Sequence, residues 1–343
     1  MKALILEKIV SLKENNRPLK LVDLPIPKLN KDEILIKIST CGVCHTELDE
    51  IEGRTPPPAF PIILGHQVVG NIEKIYNNNE NKFKIGDRVG VAWIGYACGK
   101  CKYCIQGEEN LCNNFKATGR DIPGGYAEYM SINKNFIFTI PDIFNDMQAA
   151  PLLCAGAIGY RSLILTNITN GQNLGLTGFG ASAHIVLQTA KYKFPDSKIF
   201  VFARNENERK FAKELGAYWS GDTEEYSPAK LDAIIDTTPV WKPVIEAMKN
   251  LDRGGRLVIN AIRKENIDND YLFNLNYEKH LWYEKEIKSV ANITRNDVKK
   301  FLDLACEIPI KPEYQEYKLE EANKALLELK DRKIRGAKVL KIS

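Results

Sequence analysis

Up to about Pro141 the chain runs in short stretches of alternating or clustered apolar residues, cut by Gly, Pro and Asn. Examples are Glu33-Ile34-Leu35-Ile36-Lys37-Ile38, Val68-Val69-Gly70-Asn71-Ile72-Glu73-Lys74-Ile75 and Gly125-Tyr126-Ala127-Glu128-Tyr129-Met130-Ser131-Ile132. Such runs predict an all-β unit, with Asn77-Asn78-Asn79-Glu80-Asn81 as a polar turn between strands. From about Met147 the pattern becomes apolar strand, helix, apolar strand, helix. Strands are predicted at Asn173 to Gly178, Ile199 to Phe202, Asp232 to Asp236 and Gly255 to Ile259, with helices such as Glu206 to Leu215 and Lys242 to Asn250 between them. That alternation predicts a parallel sheet built from βαβ units. The run Arg335 to Ile342 reads as one more strand.

Length and composition add limits. At 343 residues the chain exceeds one typical core and has room for two domains. Hydrophobic content of 44% and charged content of 27% are ordinary for a globular protein. The balance of 48 basic and 44 acidic residues leaves +4, too small and dispersed an excess to point to nucleic acid or an anionic membrane. No apolar run approaches bilayer length, and Met1-Lys2-Ala3-Leu4-Ile5-Leu6-Glu7 meets a charge too early for a signal peptide. Eight cysteines in metal-like spacings, without an export signal, are expected in a reducing cytoplasm.

Four of those cysteines form the strongest local signal. Cys98, Cys101, Cys104 and Cys112 are separated by two, two and seven residues. Two Cys-x-x-Cys steps sharing a middle cysteine present three thiolates to one point, and the fourth returns to close a tetrahedron. Four thiolates leave Zn²⁺ no open position, so the expected site is structural. An iron–sulfur cluster also takes four cysteines, but the gap of seven and the nearby lysines fit zinc better.

The βαβ region carries a second signal. Strand Leu174 to Thr177 leads into Gly178-Phe179-Gly180-Ala181-Ser182-Ala183-His184 and then an apolar helix. In this Gly-x-Gly-x-x-Ala turn, Gly178 permits the tight bend and Gly180 lets a pyrophosphate approach the backbone. Ala183 permits close helix–strand packing, with the helix N-terminal amides facing the anion. His184 reads as a helix surface or packing residue. An NAD-binding unit usually ends its second strand with Asp or Glu, which accepts from the adenosine ribose. Here the strand ends at Ala203-Arg204-Asn205. The missing acid and the adjacent guanidinium predict NADP(H) over NAD(H), because Arg can hold a 2′-phosphate bidentately. The alternative is that Arg204 stacks on the adenine and either coenzyme binds.

Three more residues suggest a second metal: Cys44 in Cys44-His45-Thr46, His66 in Leu64-Gly65-His66-Gln67, and Cys154 in Pro151-Leu152-Leu153-Cys154. Two thiolates and an imidazole would leave zinc one open position, although spacing alone does not assemble them. Cys41-Gly42-Val43-Cys44 mimics a thiol–disulfide motif without the surrounding thioredoxin-like order.

Several segments occur in one order: Cys41 to Thr46, Gly65-His66, Gly86-Asp87-Arg88-Val89, the Cys98–Cys112 loop, Gly124 to Tyr129, Pro151 to Tyr160, Gly178 to His184 and Ser289 to Arg295. Together they resemble the zinc-dependent alcohol dehydrogenases of the medium-chain dehydrogenase/reductase family over essentially the whole chain. The resemblance implies an α/β plus β fold. A GroES-like β-rich catalytic domain spans 1–150 and a Rossmann doubly wound parallel sheet spans 151–292. Residues 293–343 return to the catalytic domain. It also implies two zinc ions per chain, with Cys44, His66 and Cys154 as catalytic ligands. By the same resemblance Thr46 hydrogen-bonds the substrate hydroxyl, while His45 and Arg295 approach the coenzyme phosphates. Trp93 matches a wall of the substrate pocket, with an ordinary core aromatic as the alternative. Cys41 and Cys306 match no ligand position.

Two departures stand out. Gln67 replaces a carboxylate after His66, and Asp49 stands where the proton relay usually ends in His, a weaker base near neutral pH. The expected reaction is hydride transfer between NAD(P) and small alcohols, aldehydes or ketones. A polyol or sugar dehydrogenase of the same fold is the alternative, although Pro56-Pro57-Pro58-Ala59-Phe60 and Trp93 suggest an apolar pocket. A zinc-ribbon module for nucleic acid is set aside, since Lys100, Lys102 and Lys116 are opposed by Glu108 and Glu109. A homo-oligomer, dimer or tetramer, is expected.

Overall fold

The structure is a computed structural model and describes residues 1–76, 82–308, 310–331 and 335–343. The expected turn at 77–81 lies outside the described residues. The chain divides into two units. One comprises Met1–Ala157, Ile293–Cys306 and Lys311–Ser343, and the other Ile158–Asn292 with Glu307–Ile310.

The first unit is organised by one long strand, Glu33–Val43. It pairs antiparallel with Val68–Ile75 along most of its length and with Tyr129–Asn133 at its start. Its end pairs with the C-terminal strand Ala337–Lys341, where Lys338↔Val43 and Leu340↔Cys41 are partners. The last residues of the chain thereby border the segment that leads to Cys44. The full sheet has seven strands, and Lys2–Leu6 carries a separate three-stranded sheet. The expected strand from Gly125 begins only at Tyr129. The preceding glycines are used for close approach instead: Gly124 N–H donates to Ile63 O at 2.8 Å, Gly125 to Gly65 O at 2.8 Å and Tyr126 to Leu64 O at 2.9 Å. A Cβ on Gly124 would lie 2.2 Å from the Gly65 carbonyl oxygen, so this contact excludes any side chain.

The second unit holds a six-stranded parallel sheet, ordered Trp219–Gly221, Ile199–Phe202, Leu174–Thr177, Leu231–Asp236, Leu251–Ile259 and Glu286–Ser289. Both faces are covered, which is why the central strands read as unbroken apolar runs. Leu174, Leu176, Ile199, Val201, Ala233 and Ile235 pack on one side with Val186, Leu187 and Ala190 of helix Ala181–Lys193. Phe200, Phe202, Ile234 and Leu257 pack on the other with Val244, Ala247 and Met248 of helix Lys242–Met248. The two outer strands are additions to the four expected. Trp219–Gly221 is three residues long, and Glu286–Ser289 is exposed throughout, so neither carries an apolar run. Among the described residues no helix is long and apolar enough to cross a membrane.

His184 is fully buried in helix Ala181–Lys193 rather than on its surface. Its Nδ1 lies 3.1 Å from Gly180 O and its ring lies 5.9 Å from that of Phe211. Burial holds the imidazole down to about 4, so it is neutral in the folded state. In the unfolded chain it would protonate near the ordinary value of about 6.5. Between those values the unfolded state binds the extra proton, so stability is lost as pH falls through the window, by about 3 kcal/mol. Urea unfolding at pH 7 and pH 4.5 should show a smaller drop in His184→Gln than in the parent protein. Equal drops would contradict this account.

Candidate metal centres and coenzyme turn

Cys44 ends the approach from Glu33–Val43 and precedes helix His45–Ile51, placing its thiol beside the helix start. His66 lies on the segment between Ile62–Ile63 and Val68–Ile75 and is buried. Cys154 projects from a π-helical turn, Leu152–Gly156, between helices Asp146–Pro151 and Ala157–Leu165. Such turns interrupt helices mostly at functional positions. The ligand atoms of all three residues lie within 4.8 Å of one another, and His66 Nε2 is 3.1 Å from Cys154 Sγ. Two sulfurs and one imidazole nitrogen suit zinc and leave one position open.

Glu47 ties this set together. It is completely buried, its Oε2 accepts from Cys44 N–H at 2.7 Å, and its Oε1 is 2.6 Å from His66 Nδ1. A carboxylate on Nδ1 fixes the tautomer that leaves Nε2 available to a metal. Burial alone would push His66 down, but Glu47 and the Cys44 sulfur raise it well above its ordinary value. Cys44 is lowered, first by the hydrogen bond from Cys154, and Cys154 is raised correspondingly. A bound dication would deprotonate both thiols. The sequence reading omitted Glu47; its signal was an acid three residues after Cys44, where a helix N-terminus accepts one.

Other expected residues fall around these ligands. Thr46 is buried, with Oγ1 3.6 Å from Cys44 Sγ. Asp49 is buried and its carboxylate pairs with Arg54. His45 opens the helix and is exposed. The Gln67 amide fills the space above Gly42, where a Cβ would come within 2.6 Å of it. Trp93 is buried, stacked on Phe115 at 5.3 Å, with the Arg120 guanidinium 5.4 Å from its ring centre. Glu50, one turn after Glu47, is fully buried, and its oxygens have no partner among the described residues. Burial and then the Glu47 charge push it well up.

The second set, Cys98, Cys101, Cys104 and Cys112, also gathers its sulfurs within 4.8 Å. Cys101–Cys104 and Cys98–Cys104 separations are 3.6 and 3.9 Å. A zinc tetrahedron with bonds of about 2.3 Å has sulfur–sulfur edges of roughly 3.8 Å. Backbone N–H groups of Lys100 and Cys101 point at Cys98 and lower it to about 6. Cys98 and Asn114 N–H groups both donate to Cys112 Sγ at 3.4 Å.

Arg295, which the resemblance assigned to the coenzyme phosphates, is engaged within its own unit by Glu109. Thr294 Oγ1 and N–H both donate to Asp297 and start helix Arg295–Glu307. Arg295 Nε and Nη2 then grip Glu109 Oε2 at 2.9 and 2.7 Å, and its backbone N–H reaches Oε1 at 2.7 Å. Its Nη1 donates to Asn135 O at 3.3 Å, and the guanidinium covers Phe136. Glu109 belongs to the four-cysteine loop, so this pair holds that loop to the returning segment. In the sequence Glu109 stands out only as a charge opposing Lys100, Lys102 and Lys116.

In the second unit, Gly178 has φ +73°, which only glycine adopts without strain. A Cβ on Gly180 would meet nothing within 4 Å, leaving an open approach to the backbone there. Ala183 is fully buried against the sheet. Ala203 is buried, whereas Arg204 is exposed.

Together these features define a β-rich unit with two candidate metal centres and a Rossmann unit with a dinucleotide turn. Residues 30–142 match the alcohol dehydrogenase GroES-like domain. The chain is 41% identical over 329 residues to the probable alcohol dehydrogenase AdhA of Mycobacterium tuberculosis (strain CDC 1551 / Oshkosh), covering 95% of this chain and 93% of that one. It is 32% identical to an alcohol dehydrogenase of Geobacillus stearothermophilus over the full length of both chains. The solved alcohol dehydrogenase of Aeropyrum pernix superposes with a TM-score of 0.86 at 24% identity, covering 99% of this chain and all of that one. The chain belongs to the medium-chain alcohol dehydrogenases, enzymes that interconvert alcohols and carbonyl compounds with NAD(P).

Glu109→Gln should cost about 2 kcal/mol, because it leaves a half-buried guanidinium without its counter-charge. Dissociation constants for NADH should not change. Weakened NADH binding with unchanged thermal stability would return Arg295 to the coenzyme.

Proposed function

We propose that Cys44, His66 and Cys154 hold a catalytic zinc and Cys98, Cys101, Cys104 and Cys112 a structural one. The observation that carries this reading is Glu47, whose one buried carboxylate orients two of the three open-site ligands. When bound, the metal supplies a Lewis acid with one open position, and the nicotinamide supplies the hydride acceptor. The chain's own residues orient the substrate and move the proton. Thr46 Oγ1, beside Cys44 Sγ, accepts the substrate hydroxyl's proton and passes it away from the metal. Asp49 is the next acceptor along the helix, with a carboxylate already paired to Arg54. Trp93 forms an apolar wall that suits small alcohols and aldehydes. The curated relatives favour alcohols over the polyol alternative.

Gly178, Gly180 and Ala183 form the pyrophosphate turn of the second unit. Arg204, exposed beside Ala203, favours NADP(H) through its 2′-phosphate.

Metal analysis of fully loaded protein should find two zinc ions per chain. Cys154→Ser should abolish turnover and leave the chain folded with the four-cysteine zinc in place. A single zinc in active protein would refute the two-site reading. Arg204→Ala should weaken NADPH binding by about 1.5–3 kcal/mol, the range for hydrogen bonds to charged groups, and barely change NADH. Equal loss for both would mean that Arg204 stacks on the adenine.

A further inference from the structure

The acid absent from the end of strand Ile199–Phe202 has a counterpart one helical turn further on. The strand end is registered on the glycine turn: Thr177 pairs with Phe202, and Gly178 N–H donates to Phe202 O at 2.8 Å. Helix Glu206–Glu214 then begins at once, capped by Asn205, whose Oδ1 accepts from Asn207 N–H at 2.8 Å. Arg209 locks this helix back onto the strand end, donating from Nη1 to Ala203 O at 2.7 Å and to Arg204 O at 3.0 Å. Phe211 packs edge-on against the Phe179 ring at 5.4 Å. Residues three apart share a helix face, so Glu208 lies on the face turned to the glycine turn.

Its carboxylate reaches that turn. Glu208 lies within hydrogen-bonding reach of the backbone N–H of Phe179, the residue between Gly178 and Gly180, and burial raises its carboxyl while that N–H lowers it. A carboxylate offers about four acceptor positions over two oxygens, so this contact leaves capacity for a ligand. The approach over Gly180 is open. The side chain is only partly exposed, and the Arg204 charge favours its ionised form.

We propose that Glu208 accepts from the adenosine ribose hydroxyls, doing from the helix what an acid at position 203 would do from the strand, and so restrains the NADP(H) preference that Arg204 introduces. The inference rests on the reading that coenzyme binds at the Gly178–Gly180 turn. A ribose with free hydroxyls donates to the carboxylate, whereas a 2′-phosphate brings like charge against it. Arg204, just before the helix cap, and Glu208, in the helix's first turn, then act in opposite senses on one ribose position. The chain binds both coenzymes as a result.

The test is direct binding, read as dissociation constants of NADH and NADPH on zinc-loaded protein by nicotinamide fluorescence. Competition by 5′-AMP and by 2′,5′-ADP isolates the adenine half. Glu208→Gln keeps the side chain's size and its acceptor for Phe179 while removing the charge. It should weaken NADH by roughly tenfold and leave NADPH unchanged or tighter. Glu208→Lys should move the ratio further the same way. Glu206→Gln, on the exposed side of the same helix, should leave both within about twofold of the parent. An equal change for both coenzymes, no change, or a shift toward NADH in Glu208→Gln would overturn the proposal. Tighter NADH than NADPH in the parent would defeat the Arg204 preference alone, and loss of both in every variant would defeat the turn itself.

Discussion

A buried carboxylate is costly unless its oxygens find partners, and Glu47 meets two that belong to a candidate metal site. One oxygen holds the backbone N–H of Cys44 and the other the imidazole of His66. The acid therefore ties together two candidate ligands that flank different strands of the first unit's sheet. It also fixes which imidazole nitrogen faces Cys154. Thr46 and Asp49 take their places from the same helix that carries Glu47. The C-terminal strand, by pairing with Thr40 to Val43, steadies the segment on which Cys44 stands.

The two cysteine sets differ in how far the sequence exposes them. Cys98 to Cys112 form one local loop, so spacing alone declares a tetrahedral site. Cys44, His66 and Cys154 come from distant positions, and no local rule brings them together; only the family resemblance assembled them. Strands 174–177 and 199–202 were legible because both faces are buried, which leaves an unbroken apolar run. The edge strand Glu286–Ser289 has no such run, since nothing covers its side chains within its own unit.

The residues that the sequence hid are acids. No motif marks Glu47, Glu109 or Glu208 in the sequence, yet each has a specific neighbour: His66, Arg295 and the Phe179 amide. A carboxylate's role depends on the donor it meets across space, which linear pattern does not carry. Arg295 illustrates the converse. Its motif is plain in the sequence, yet its guanidinium is turned to Glu109 of the four-cysteine loop.

The central claim is that the first unit holds one closed, all-sulfur metal site and one open, mixed site. X-ray absorption at the zinc edge of fully loaded protein reads this directly. The account predicts an average of about three sulfurs per zinc at roughly 2.3 Å together with a nitrogen or oxygen shell at roughly 2.0 Å. A pure sulfur shell, or an average of two sulfurs or fewer, would contradict it.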